Sequence, residues 1–397
     1  MGVLAVLLLA LAVWLVSRCW PVPAAQRQAL AQLDSPVHAS GRNGFAQLWL
    51  LAYDGPDAAG RERLLAEDVA RWQGGLPGQR AGVSVAAERL HAVPLGAGSR
   101  CGTRGIDCLA QVRAEPQRFA RVHQGHAALH ARVADLAGYG HFRSPFVLAP
   151  RDVCVPLPAL LPLMDPGSAH ALAFVQGDHA AGLAGICATL LAGRRLVHGS
   201  DALVTSVLGA ALVETQARLL SEMLAELPAG QPLPPACHAA LQPMGVDEQD
   251  LCPALRGEFA LSTPALDAES ARLPWNGLVF DVQATRLCMA PHYAWACGSA
   301  ARQALAEDRP LEVPPAPPQG IECLSNILGC RLAAIAFPAI QPYAARSQDA
   351  AAMLRLVAAQ CWLRQQPGPR AQALSHLPAE MRSATRVPEL GPDGLSL

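Results

Sequence analysis

Three histidines, His123, His126 and His130, recur at i, i+3 and i+7 in an alanine-rich stretch. On one helix that spacing projects the imidazoles to one side, and His126 with His130 has the i, i+4 geometry of a metal-binding pair. Between them stand Ala127, Ala128 and Leu129, so the glutamate that would complete a metalloprotease motif is missing. The expectation is boundary residues at a helix interface and no metal site, with ligands of a metal-dependent hydrolase as the alternative.

The twelve cysteines are the other source of chemistry. Cys101 and Cys108 enclose six residues, as do Cys323 and Cys330, and Cys237 with Cys252 and Cys288 with Cys297 form two further close pairs. Nearest-neighbour pairing predicts these four bridges, although spacing alone does not determine connectivity. Each would contribute about 2–3 kcal/mol. Cys154, Cys187 and Cys361 are left over, the last two on apolar helical faces as core thiols or as one long-range pair. A cysteine zinc site is not indicated, since no C-x2-C spacing occurs. His198, Ser200 and Asp201 lie close together at a helix start, where Ser and Asp serve as caps. No G-x-S-x-G elbow, Walker loop or strand-borne G-x-G-x-x-G is present, so no nucleotide, haem or other cofactor is expected and the balance leans away from an enzyme.

Charge is balanced, with 31 basic against 32 acidic residues, which excludes an electrostatic footprint for nucleic acid. Every basic residue is arginine, and together with the abundant alanine this points to a high-GC bacterial genome.

Residues 2–17 form an unbroken apolar run closed by Arg18-Cys19-Trp20-Pro21. Sixteen helical residues reach roughly 24 Å, short for a bilayer core but tolerable with local thinning. Trp14 and Trp20 suit the interface. Small residues near Val22-Pro23-Ala24 leave signal cleavage open, but the basic n-region is missing. Arg18 and Arg27 on the C-terminal flank would keep the body in the cytoplasm. Eleven body cysteines argue for an oxidising compartment and outweigh two arginines. The expectation is a single-pass inner-membrane anchor in contact with the lipid bilayer through residues 2–17, with the body in the periplasm; secretion after cleavage is the alternative.

The elements that must position these residues read as mainly α: an irregular helical body of antiparallel hairpins behind the N-terminal anchor. Arg61 to Trp72 and Pro116 to Leu136 carry apolar stripes, the second containing all three histidines. A proline-rich stretch from Pro145 to Pro166 suggests a sub-domain boundary. Ala169–Gln176, Gly177-Asp178 and His179–Leu191 read as two helices about a tight turn with Asp178 as cap, followed by a longer helix capped by Ser200 and ended by Pro228. This run of about thirty residues resembles a degenerate tetratricopeptide-type hairpin, lacking its aromatic signature positions and a second copy; an ordinary antiparallel hairpin burying its own core is the better explanation. Beyond a loop-rich stretch, Trp275 to Val282 reads as a short strand or buried turn, and Gln348 to Arg364 as a helix. The segments are then 1–20 (anchor), 21–150, 151–265 and 266–385 (helical regions) and 386–397 (tail).

Three functions are compatible with this pattern. The first is a non-catalytic, membrane-anchored envelope scaffold that contacts another envelope protein. The second is a metal-dependent hydrolase using the His123/His126/His130 face. The third is a cleaved periplasmic protein binding a small apolar ligand.

Overall fold

A computed structural model describes residues 2–35, 39–76, 84–96, 100–101, 107–149, 152, 155–272, 276–312, 320–383 and 385–391, and it is mainly helical. The chain begins with α1 (Gly2–Arg18), α2 (Ala24–Asp34) and α3 (Phe45–Trp49). A short antiparallel pair, β1 (Tyr53–Asp54) and β2 (His91–Ala92), brackets α4 (Ala58–Gly74) and α5 (Val85–Arg89). Next come α6 (Cys108–Ala114), α7 (Pro116–His123) and α8 (Ala127–Asp135). The centre is α9 (Pro166–Val175), α10 (His179–Gly199) and α11 (Leu203–Glu226), and then α12 (Pro235–Ala240) and α13 (Val246–Gln249). Finally α14 (Cys252–Arg272), α15 (Val282–Ala294), α16 (Ser299–Ala306), α17 (Ile327–Leu363) and α18 (Arg370–Leu374) complete the body.

Local chemistry explains most of these boundaries. Asp57, Asp178 and Asp281 accept the backbone N–H groups of Gly60, Ala181 and Ala284, capping α4, α10 and α15. The stripe expected to run unbroken from Pro116 to Leu136 is instead two helices. Gly125 sits at φ +86°, a left-handed conformation that no helix interior accepts, and it separates α7 from α8. Ser200 is not the N-cap of α11 either. That position falls to Ala202, whose N–H Ser200 Oγ accepts at 3.1 Å. The expected strand or turn near Val282 is a 3₁₀ turn, Asn276–Leu278, while Trp275 and Cys154 lie outside the described residues. The helix expected from Gln348 begins much earlier, at Ile327.

α10 and α11 form the centre of the body, packed against each other and flanked by α9, α12 and α17. Both are long and apolar enough to cross a membrane, yet both are core helices; apolar residues on all sides reflect neighbours on all sides. Their backbones meet where Gly193 faces Gly209: a Cβ on Gly209 would lie 2.8 Å from both Leu196 Cβ and Val197 N. Buried Arg194 ties α12 and α13 to this pair, bonding Glu248 through two nitrogens at 2.6 and 2.9 Å and donating to the carbonyls of Ala239, Ala240 and Gln242.

Four disulfides join described residues: Cys101–Cys108, Cys323–Cys330, Cys187–Cys237 and Cys252–Cys297. The last two replace the expected Cys237–Cys252 and Cys288–Cys297 pairs. Cys237 is buried on α12 against α10, with its Cα 4.9 Å from that of Cys187, and Cys252 opens α14 with its Cα 4.7 Å from that of Cys297. Cys288 is separated from Cys297 by a largely helical span of roughly 14 Å, beyond any disulfide. It stays a buried thiol, as Cys361 stays a partly buried one, so Cys187 and Cys361 are not a pair. Four bridges indicate an oxidising, extracytoplasmic environment.

One carboxylate makes stability depend on pH. Glu222 on α11 accepts Leu109 N–H at 3.1 Å; burial pushes its carboxyl up to about 7, and neighbouring Asp107 pushes the same way. The folded chain therefore holds a proton that the unfolded chain releases near pH ~4.3, and stability falls as pH rises from about 4 to about 7. Glu222→Gln should flatten this part of the curve, melting above the parent protein at pH ~8 and close to it at pH ~4. Thermal melts over a pH series read the difference, and parallel curves for the two proteins would exclude Glu222 as its source.

Candidate metal centre

The histidines arrive at one place from different elements. His123 ends α7, His126 occupies the N-cap of α8, and His130 lies one turn into that helix. α7 is held by Phe119, buried in the cluster that includes Leu172 and Phe174 of α9, whereas α8 buries Leu129 and Val133 with Ala192 and Leu196 of α10. The break at Gly125 thus aims His123 from one helix and His130 from another.

The fourth member was not indicated by sequence spacing. Asp165 precedes Pro166 at the start of α9, where an aspartate ordinarily caps the helix, yet its side chain makes no capping bond. It points at the histidines: Oδ2 lies 3.0 Å from His126 Nδ1, 2.8 Å from His130 Nε2 and 3.4 Å from His123 Nδ1. The last contact lacks hydrogen-bond geometry, and among the described residues His123 Nδ1 and Asp165 Oδ1 are buried without hydrogen-bond partners. Burial pushes the Asp165 carboxyl up, but His123, His130 and His126 together outweigh it and hold the group well below the usual carboxylate range.

A second layer orients the first. His123 Nε2 lies 3.0 Å from Ser168 Oγ on α9, which leaves Nδ1 turned inward. His170 packs beside His130 with ring centroids 6.2 Å apart and pairs its Nε2 with Thr189 Oγ1 at 3.0 Å. Burial, reinforced by His130 and His123, pushes His170 down to about 3, so it stands there as a neutral ring.

Three imidazole nitrogens and one carboxylate oxygen lie within 4.8 Å of one another. Tetrahedral zinc with bonds near 2.0–2.1 Å needs ligand separations of about 3.3 Å, within reach of small side-chain movements. Nitrogen-rich ligation with one carboxylate suits zinc and neighbouring transition ions rather than calcium or magnesium. The side chains are only 6, 3, 15 and 1% exposed for His123, His126, His130 and Asp165. That enclosure leaves little access for a substrate.

His198, Ser200 and Asp201 do come together, lining a cleft of about 340 Å³ with Arg143 and Arg256. They are not arranged as nucleophile and base. Ser200 Oγ is bonded to Ala202, and His198 Nδ1 lies 2.5 Å from the Asp247 carbonyl. Asp201, pushed up to about 6 by burial, accepts Ser144 N–H at 3.1 Å.

No family model, curated protein or solved structure matches the chain.

Because three side chains converge on Asp165, Asp165→Asn should lower stability by about 2–3 kcal/mol, the scale of hydrogen bonds to a charged partner. Urea unfolding of the metal-free protein checks this, and an unchanged midpoint would mean that the histidines gain nothing from the charge.

Proposed function

We propose that this is a membrane-anchored, extracytoplasmic protein whose helical body holds one transition-metal ion, zinc by ligand preference, on His123, His126, His130 and Asp165. The observation that carries the reading is the convergence of three imidazole nitrogens on one buried carboxylate oxygen, between helices separated in the chain. Four protein ligands complete a tetrahedral shell, whereas a hydrolytic zinc keeps a position open for water. The enclosure of the ligands favours a structural ion that ties α7, α8 and α9 together. The body then serves as a rigid scaffold presented to another envelope protein, and the histidine face is a staple instead of a reaction centre. Anchoring rests on α1, whose apolar side chains from Val3 to Leu11 are largely exposed and, among the described residues, find none in the body that buries them.

Metal analysis of the purified, chelator-stripped and reloaded protein should return about one zinc per chain, with a thermal midpoint that rises with free zinc concentration. His126→Ala combined with His130→Ala should abolish both the uptake and the shift. Failure of the parent protein to retain any first-row transition metal, with no change in its midpoint, would refute the centre.

A further inference from the structure

The last turns of α1 are built into the body. Trp14 Nε1 donates to the Leu278 carbonyl at 2.7 Å, and Arg18 pairs with Asp281 at 2.8 Å. Ser17, only 4% exposed, donates to Ser325 Oγ at 3.0 Å and accepts Ser325 N–H at 2.8 Å. A buried hydroxyl bonded twice to a residue 308 positions away is a joint, since an unmatched one would cost free energy. The receiving surface is itself braced: Leu328 N–H bonds Val279 O at 3.1 Å, Asp281 N–H bonds Asn326 Oδ1 at 2.8 Å, and Cys323–Cys330 closes the segment.

Around this joint the body exposes large apolar side chains. Trp20, Leu278, Val279, Ile321, Leu324 and Ile327 are 39–53% exposed, and all belong to the segments that grip α1 or continue from it. At the joint Arg18 and Asp281 neutralise each other, whereas Glu322 keeps its charge and accepts the Gly320 N–H at 2.9 Å. The collar lies where the apolar helix meets the body, the depth at which half-exposed apolar side chains gain by entering the interface.

We propose that the base of α1 is a membrane seat: α1 is retained in the mature protein, and the apolar collar enters the interface of the same bilayer, holding the body in one orientation. This rests on the anchoring part of the reading above. The apolar stretch of α1 from Val3 to Val16 runs directly into the collar, so one lipid phase covers both; Trp20 has the amphipathic ring that interfaces favour.

The test uses the full chain with Cys19→Ser and Cys154→Ser, the partly buried Cys361 also being replaced by serine for labelling, carrying one bimane-labelled cysteine at Leu278 or Leu324, or at Leu161, an exposed leucine of the body that does not belong to the collar. Each protein is reconstituted in phosphatidylcholine–phosphatidylglycerol vesicles containing nitroxide lipid. Fluorescence should be lost at Leu278 and Leu324 and retained at Leu161. Equal fluorescence at all three positions in vesicle-bound protein overturns the seat while leaving the anchor intact. A mature protein that lacks residues 1–18, or that fails to sediment with vesicles, overturns the anchor and the seat together. Cross-linking of Leu324→Cys to a second copy, without quenching, would make the collar a dimer face and also overturn the proposal. In the same Cys19→Ser, Cys154→Ser chain, Ser17→Cys with Ser325→Cys should form an intramolecular disulfide on the membrane; its absence would show that the joint does not persist there.

Discussion

The backbone contact between α10 and α11 is the constraint on which the rest of the body depends. Gly193 and Gly209 let two long helices approach more closely than any side chain would permit, and that approach sets the positions of everything laid against them. Leu183, Ile186 and Leu190 of α10 and Val213 and Leu220 of α11 fill one cluster together with residues from α6, α7, α9, α12 and α17. On another side Ala192, Leu196 and Leu212 receive α8 and the segment around Phe142. Packing at crystal-like density leaves little room for adjustment, so a change at the crossing would be felt across several helices.

The candidate metal centre inherits its geometry from that crossing. α9 lies on α10 and carries Asp165 at its beginning, α8 lies on α10 and carries His126 and His130, and α7 is pinned to α9 by Phe119. Each ligand is placed by apolar packing elsewhere on its own element. Such a site can be rigid before any ion arrives, with Ser168 holding the His123 ring. The joint at the base of α1 follows the same logic, where the 3₁₀ segment Ile321–Asn326 and the turn after Leu278 that receive the helix are bonded to each other.

Much of this was legible in residue patterns. Apolar periodicity marked the helices around Arg61–Trp72 and Leu203–Glu226, and a capping aspartate, Asp178, marked the start of the helix between them, because those signals act within one or two turns. The three histidines and the two six-residue cysteine loops were visible for the same reason: their partners are near in the chain. Less was visible where two local signals competed. Gly125 interrupts a stripe that hydrophobic period alone would continue, and a left-handed glycine there decided the matter. Asp165 was hidden because Asp-Pro ahead of a helix is an ordinary start signal, and nothing within reach of its neighbours points to histidines 35–42 residues earlier.

The amino-acid sequence by itself determined a mainly helical chain, an apolar N-terminal segment, a cysteine content suited to an oxidising compartment and three histidines at one-face helical spacing. These follow from composition and from spacings shorter than a helix or two, where steric and hydrogen-bonding preferences act directly. Only the tertiary structure decided that Cys187 meets Cys237 and Cys252 meets Cys297, that Asp165 closes the histidine cluster, and that Ser17 locks onto Ser325. Contacts across 35 to 308 residues depend on how entire helices pack, and packing is a property of shape and volume summed over the core, which no local pattern records.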